Sequence, residues 1–94
     1  MREVRRELGA LIREYRVKKE LTQLHLAQRL GYDSTQFVSL FERGLSKVPH
    51  NVLGQLIVIL GIPEKKVLDT LMKAYEVNLK SEISSGKKTA KNSA

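Results

Sequence analysis

The sequence predicts an all-α fold, a compact bundle of about five helices. Three observations predict it: the 94 residues include only two prolines, 41% of them are hydrophobic, and the hydrophobic positions recur at helical spacing along the chain. A chain of this length buries roughly 60% of its unfolded surface, which is enough for one core. It contains no cysteine, which excludes disulfides and thiolate metal sites.

The first helix is predicted over residues 3–18. Its apolar positions follow the spacing i, i+4, i+7, i+8 and i+11, which places them on one face. These positions are Val4, Leu8, Leu11, Ile12 and Tyr15. The basic residues between them are interpreted as a solvated face, since glutamates offset part of their charge. The segment never forms a long apolar run, so a signal peptide is not predicted.

Residues 22–44 contain two further short helices joined by a tight turn. Thr22 is the predicted N-cap of the second helix, and Gly31 can adopt the positive φ that a turn requires. The apolar positions of the pair are Leu26, Ala27, Leu30, Val38 and Phe41. This arrangement predicts a helix-turn-helix unit, whose second helix can lie in a DNA major groove.

The outward face of the third helix predicts contacts with DNA bases. With Val38 and Phe41 in the core, helical geometry turns four residues elsewhere: Thr35, Gln36, Ser39 and Leu40. Gln bonds adenine in a bidentate way, Thr and Ser bond several base edges, and an apolar side chain touches a thymine methyl. Asp33 or Ser34 is the predicted cap of this helix. The alternative role for Gln36 is to complete a capping box with Asp33.

Phosphate contacts are expected on both sides of this face. Gln23 lies in the first turn of the second helix, where backbone amides and the helix dipole favour an anion, and Thr22 precedes it. Arg43 and Lys47 follow the third helix and are placed to touch phosphates flanking the groove. Neither histidine has a cysteine or clustered carboxylates nearby, so no metal site is predicted.

The fourth helix is predicted over residues 51–60 and the fifth over residues 64–80. The fourth is apolar around most of its circumference and is expected to be the central buried helix. The distal half of the fifth carries Met72, Tyr75 and Leu79, more apolar surface than one small core needs. A second subunit is the expected cover, and folding back against the first helix is the alternative. Residues 81–94 are expected to be a disordered basic tail after a domain at residues 1–80.

Four sequence words carry a resemblance to a known family. They are LTQ at residues 21–23, LAQRLG at 26–31, FERG at 41–44 and LGI at 60–62. Over residues 8–63 the chain resembles the lambda-repressor and Cro-type helix-turn-helix family, also called the XRE family. The resemblance implies a bundle of this type, with the third helix in the major groove and a two-fold dimer on a palindrome. It also implies that Gln23 binds phosphate and that Arg16 pairs with Glu42 to brace the third helix.

Two features depart from the family's pattern. The turn at residues 32–34 is one residue longer than usual, which alters the expected register of Thr35 and Gln36 in the groove. Phe37 stands where the family usually has a small polar residue facing DNA. Partial packing is the interpretation of Phe37, and contact with thymine methyls is the alternative.

Charge and composition complete the functional prediction. A net charge of +7 favours partners that bear phosphate. The sequence thus predicts a cytoplasmic repressor that binds double-stranded DNA as a homodimer, regulated by its concentration or by a protein partner. The alternative is an antitoxin-like module whose main partner is another protein. No nucleophile–base pair or phosphate-cradling glycine loop appears, so neither enzymatic activity nor a cofactor is predicted. The longest apolar run is too short to span a bilayer, so no membrane partner is predicted.

Overall fold

The computed structural model describes residues 2–93 and shows five α-helices, which confirms the all-α fold. The helices are α1 (Arg2–Lys18), α2 (Gln23–Arg29), α3 (Gln36–Glu42), α4 (His50–Leu60) and α5 (Glu64–Ser93). No strand occurs within residues 2–93.

One hydrophobic core takes side chains from every helix and from the loops around α4. Its buried members are Leu8, Ile12, Leu26, Ala27, Val38, Phe41, Val48, Val52, Leu56, Leu60, Ile62 and Val67. Each large side chain that is fully buried contributes about 1.5–3 kcal/mol to folding. The predicted apolar face of α1 supplies part of this core, with Leu11 and Tyr15 packed at its edge.

Two glycines allow α1 to cross closely over the end of α3. A Cβ on Gly9 would lie only 2.6 Å from the Glu42 carbonyl oxygen, and a Cβ on Gly44 would lie 2.8 Å from Arg6 Cα. Both distances are too short for any side chain to fit. Gly44 also has a φ of +71°, which favours glycine on its own. These close approaches fix where α3 sits against α1.

The fourth helix is less buried than its sequence predicts. Val52, Leu56 and Leu60 point into the core, whereas Val58 is 82% exposed. The side chains on its flanks, Leu53, Ile57 and Ile59, are only partly buried. The prediction of a central buried helix is therefore wrong, because α4 packs on one side of the bundle and leaves an apolar residue in solvent.

The fifth helix does not end at Lys80 but continues to Ser93, so the prediction of disorder for residues 81–94 is corrected over the described part of that segment. No proline interrupts the stretch, and a helix needs only local hydrogen bonds to continue. Thr89 and Ser93 add side-chain bonds to carbonyls four residues earlier. Every described residue from 81 onward is exposed, so the bundle does not cover this part of α5.

One side of α5 packs against α1, and the opposite side faces solvent. Leu71 and Ala74 line clefts together with Val4 of α1. Lys66 Nζ donates to the Tyr15 hydroxyl at 3.0 Å, and this hydrogen bond raises the pKa of Lys66. The helix therefore does fold back on α1 as the alternative stated, but through a side that excludes the three residues proposed for a dimer. Those residues, Met72, Tyr75 and Leu79, remain exposed.

Candidate nucleic-acid interface

The helix-turn-helix unit consists of α2, α3 and the turn between them. Leu26, Ala27 and Val38 have no exposed surface, so the two helices are joined through their buried faces. Gly31 adopts a φ of +85°, and the Tyr32 amide donates to the Ala27 carbonyl at 2.9 Å. The chain therefore turns directly after α2, as the glycine predicted.

The turn between α2 and α3 is closed by an aromatic cluster. Tyr32 and Phe37 stack with ring centroids 4.9 Å apart, and Phe41 lies 6.2 Å from Phe37. Phe37 is nevertheless 47% exposed, so it is partly packed and partly open beside α3. The sequence shows an aromatic residue on each side of the turn, but this pattern alone does not predict that the two rings stack.

The third helix begins later than the capping prediction placed it. Thr35 occupies the N-cap position, and the Ser34 hydroxyl accepts from the Gln36 amide at 3.3 Å. The capping box between Asp33 and Gln36 does not form. Because Gln36 is the first residue of α3 rather than the third, its side chain is not placed to reach back to Asp33.

The predicted base-reading residues occupy the side of α3 that faces away from the core. Gln36 is exposed, and Thr35, Ser39 and Leu40 are half-buried. The side chain of Gln36 lies at the start of the helix, where a recognition helix places its contacts with base edges. The structure therefore leaves all four residues accessible to solvent.

The predicted phosphate-binding residues lie at the start of α2, at the end of α3 and in the loop that follows α3. Arg43 and Lys47 are exposed, and Arg43 Nε donates to the Ser39 carbonyl at 3.4 Å. The Thr22 hydroxyl accepts from the His25 amide at 3.0 Å, which confirms Thr22 as the N-cap of α2. That bond uses an acceptor site of Thr22 and leaves its hydroxyl hydrogen available as a donor.

A buried ion pair joins α1, α2 and α3. Arg16 forms a bidentate pair with Glu42, with Nε to Oε2 at 2.5 Å and Nη2 to Oε1 at 3.1 Å. The remaining Arg16 nitrogen donates to the Leu21 carbonyl at 2.8 Å, and Gln23 Nε2 donates to Glu42 Oε1 at 3.0 Å. The network ties the end of α1 to the start of α2 and the end of α3. Gln23 thus contacts Glu42 as well as standing where a phosphate was predicted.

Residues 2–93 were also searched for groups of metal-binding side chains and for helices that could cross a membrane. Over this range, no three His, Asp or Glu side chains are grouped closely enough to hold a metal ion. None of the five helices has both the length and the apolar character needed to cross a membrane.

The family assignment follows from comparison with known domains. Residues 7–77 match the family model described as a helix-turn-helix domain. The chain belongs to the helix-turn-helix domain family. The match starts in α1 and ends within α5, so this helix-turn-helix protein shares with its family the supporting helices as well as α2 and α3.

One solved structure gives the same result for the fold. The crystal structure of the clp gene regulator ClgR from Corynebacterium glutamicum superposes with a TM-score of 0.64 and 27% sequence identity. The match covers 87% of this chain and 86% of that one. The search of curated proteins gave no match.

Proposed function

We propose that this helix-turn-helix protein is a transcriptional repressor that binds a palindromic operator as a homodimer, with α3 in the major groove. The observation that carries the proposal is the accessible side of α3, which presents Gln36 at the helix start and Ser39 one turn later. Family membership and the likeness to a gene regulator support DNA-binding transcriptional regulation and a role without enzymatic activity. The repressor role, the palindrome and the dimer are the proposed part.

The composition of this surface suits base recognition better than simple solvation. Gln36 can donate to and accept from an adenine edge, and Leu40 offers an apolar surface to a thymine methyl. Each good bidentate contact discriminates against a wrong base by about 1–3 kcal/mol. The buried pair of Arg16 and Glu42 holds α3 in place, so that this discrimination is not lost to helix movement.

Thr22, Gln23, Arg43 and Lys47 are proposed to contact phosphates on either side of the groove. Such contacts set the orientation of the protein on the duplex and provide affinity that does not depend on sequence. Gln23 retains a second side-chain hydrogen and its backbone amide beyond the bond to Glu42, and these are the groups it offers to a phosphate.

Selection from a random double-stranded DNA pool, followed by substitution of Gln36, tests the proposal. Enrichment of an inverted repeat is expected, and Gln36→Ala should weaken binding to the selected site by about 1–3 kcal/mol while sparing random DNA. Gln55→Ala on the exposed side of α4 is the matched control and should change neither affinity. Fluorescence anisotropy at one fixed salt concentration measures the affinity of each variant for the selected site and for random DNA.

The outcomes separate the proposed functions. An equal loss on selected and random DNA would show that Gln36 does not read a base. Failure to enrich any sequence would contradict the repressor and favour the antitoxin-like module, for which Thr35 and Gln36 are dispensable.

A further inference from the structure

A row of exposed apolar side chains runs along the solvent side of α5. Leu68, Met72, Tyr75 and Leu79 are 51%, 63%, 54% and 41% exposed. Steps of four, three and four residues place them on one narrow face, which we call the outer face of α5. This face lies away from the side that lines clefts with α1.

The spacing of the outer face is that of a helix that pairs with another helix. Alternating steps of three and four residues form the seam of a coiled coil. The same alternation continues by one step at each end, to Lys65 before Leu68 and to Glu82 after Leu79. The extended seam therefore begins with a positive side chain, which also forms an exposed ion pair with Asp69 at 3.2 Å, and ends with a negative one.

These terminal charges distinguish the two ways in which a second copy can lie on this face. A parallel pair sets each residue against its own counterpart, so that Lys65 meets Lys65 and Glu82 meets Glu82. An antiparallel pair sets Leu68 against Leu79 and Met72 against Tyr75, and it sets Lys65 against Glu82 at both ends. The parallel pair repels at both ends and the antiparallel pair attracts, while the apolar content of the seam is the same.

We propose that two copies of this chain pair antiparallel through the outer face of α5, in the register that joins Lys65 to Glu82. This inference rests on the proposed homodimer and gives it a contact surface, an orientation and a register. The arrangement is isologous, as two-fold symmetry requires. It also gives a partner to Glu82, which lies on the part of α5 that the bundle of one chain leaves uncovered.

Disulfide trapping tests the orientation, because the chain has no cysteine of its own. In the proposed register an equimolar mixture of Leu68→Cys and Leu79→Cys should yield a covalent heterodimer under mild oxidation. Each variant alone should stay uncrosslinked, since identical positions would lie about 16 Å apart, eleven residues along the helix. A disulfide needs Cα atoms within about 7 Å. Val77→Cys, exposed on another side of α5, is the matched control and should not crosslink.

A charge exchange tests the register independently. Lys65→Glu or Glu82→Lys alone should raise the dimer Kd roughly tenfold or more in sedimentation, since each creates like charges at both ends. The double variant Lys65→Glu/Glu82→Lys should restore dimerisation to near the original Kd. Crosslinking of Leu68→Cys with itself, or no crosslinking in the mixture, would overturn the inference.

Both experiments measure pairing of the protein without DNA, so they do not depend on the proposed DNA-binding function. Loss of sequence-specific binding by a correctly crosslinked dimer would count against the proposed repressor alone. Because Leu68 and Leu79 are exposed, their substitution leaves the core intact, which circular dichroism checks.

Discussion

At the scale of single residues, Glu42 joins α1, α2 and α3. Its side chain is 3% exposed, and its two oxygens accept three hydrogen bonds from Arg16 and Gln23. A buried carboxylate without partners is costly, and removal of one partner from such a pair costs about 3–5 kcal/mol. The pair therefore specifies how α3 sits against α1, and the position of Gln23 depends on it.

Glu20 is a residue at which a single substitution should stabilise the fold. It follows α1 with a φ of +59°, a left-handed conformation that glycine adopts without steric cost. Glu20→Gly should therefore raise the free energy of unfolding by about 0.5–1 kcal/mol, after the greater freedom of glycine in the unfolded chain is subtracted. Urea denaturation followed by circular dichroism measures the change.

Glu7→Gly is the matched control for this prediction. It lies within α1 and is exposed, so glycine there should lower stability by about 1 kcal/mol. A loss of stability in both variants would show that Glu20 is not left-handed in solution.

At the scale of elements, the crossing of α1 over α3 determines how the interface is presented. Gly9 faces the last carbonyls of α3, and Gly44 ends the following turn against Arg6. Both contacts are made by backbone atoms, which cannot move aside as a flexible side chain would. The third helix is thus supported by direct backbone contact with α1 as well as by the ion pair.

Gly9→Ala and Gly54→Ala should have opposite effects on stability. A methyl on Gly9 would force α1 away from α3, and overpacking of this kind costs about 1–3 kcal/mol. A methyl on Gly54, within α4, would meet open space and should stabilise the helix by about 0.5–1 kcal/mol. Thermal unfolding shows whether each variant is less or more stable than the original protein. A neutral Gly9→Ala would contradict the close helix crossing.

At the scale of the whole molecule, a compact bundle carries a projecting arm. The extents of 57 × 25 × 19 Å reflect the length of α5, whose last residues extend beyond the core. Lysines concentrate on this arm, at positions 80, 87, 88 and 91, and only Glu82 opposes them. The arm therefore combines a proposed contact for a second copy with a strongly positive end.

Neutralising the end of the arm should reduce the salt dependence of DNA binding without changing sequence preference. Replacing Lys87, Lys88 and Lys91 by Gln removes up to three positive charges that can neutralise phosphates. For each phosphate that is no longer neutralised, the slope of log K against log salt should flatten by about 0.9. Binding measured from low to physiological salt gives the slope. Replacement of the same residues by Arg should preserve it, and an unchanged slope in the Gln variant would identify the arm end as inert towards DNA.

The sequence predicted most elements because their signals are local. Apolar spacing located the core face of α1, and Thr22 and Gly31 marked the limits of α2. The failures were of two kinds. The end of α5 was misplaced, because polar composition does not stop a helix that local hydrogen bonds can continue. The start of α3 was placed too early, because the three consecutive residues Asp33, Ser34 and Thr35 are all of types that cap helices. The burial of α4 was overestimated, because apolar content does not reveal which neighbours a helix has.

By itself, the sequence determined the five-helix fold, the helix-turn-helix unit and the residues on the outward side of α3, since helical periodicity places residues on faces without knowledge of the rest. Only the tertiary structure decided how close α1 comes to α3, how Tyr32 and Phe37 close the turn between α2 and α3, and which side of α5 is left open. These features depend on contacts between residues far apart in the chain. Gly9 and Glu42, 33 positions apart, show this most clearly, because nothing local to either residue indicates that they meet.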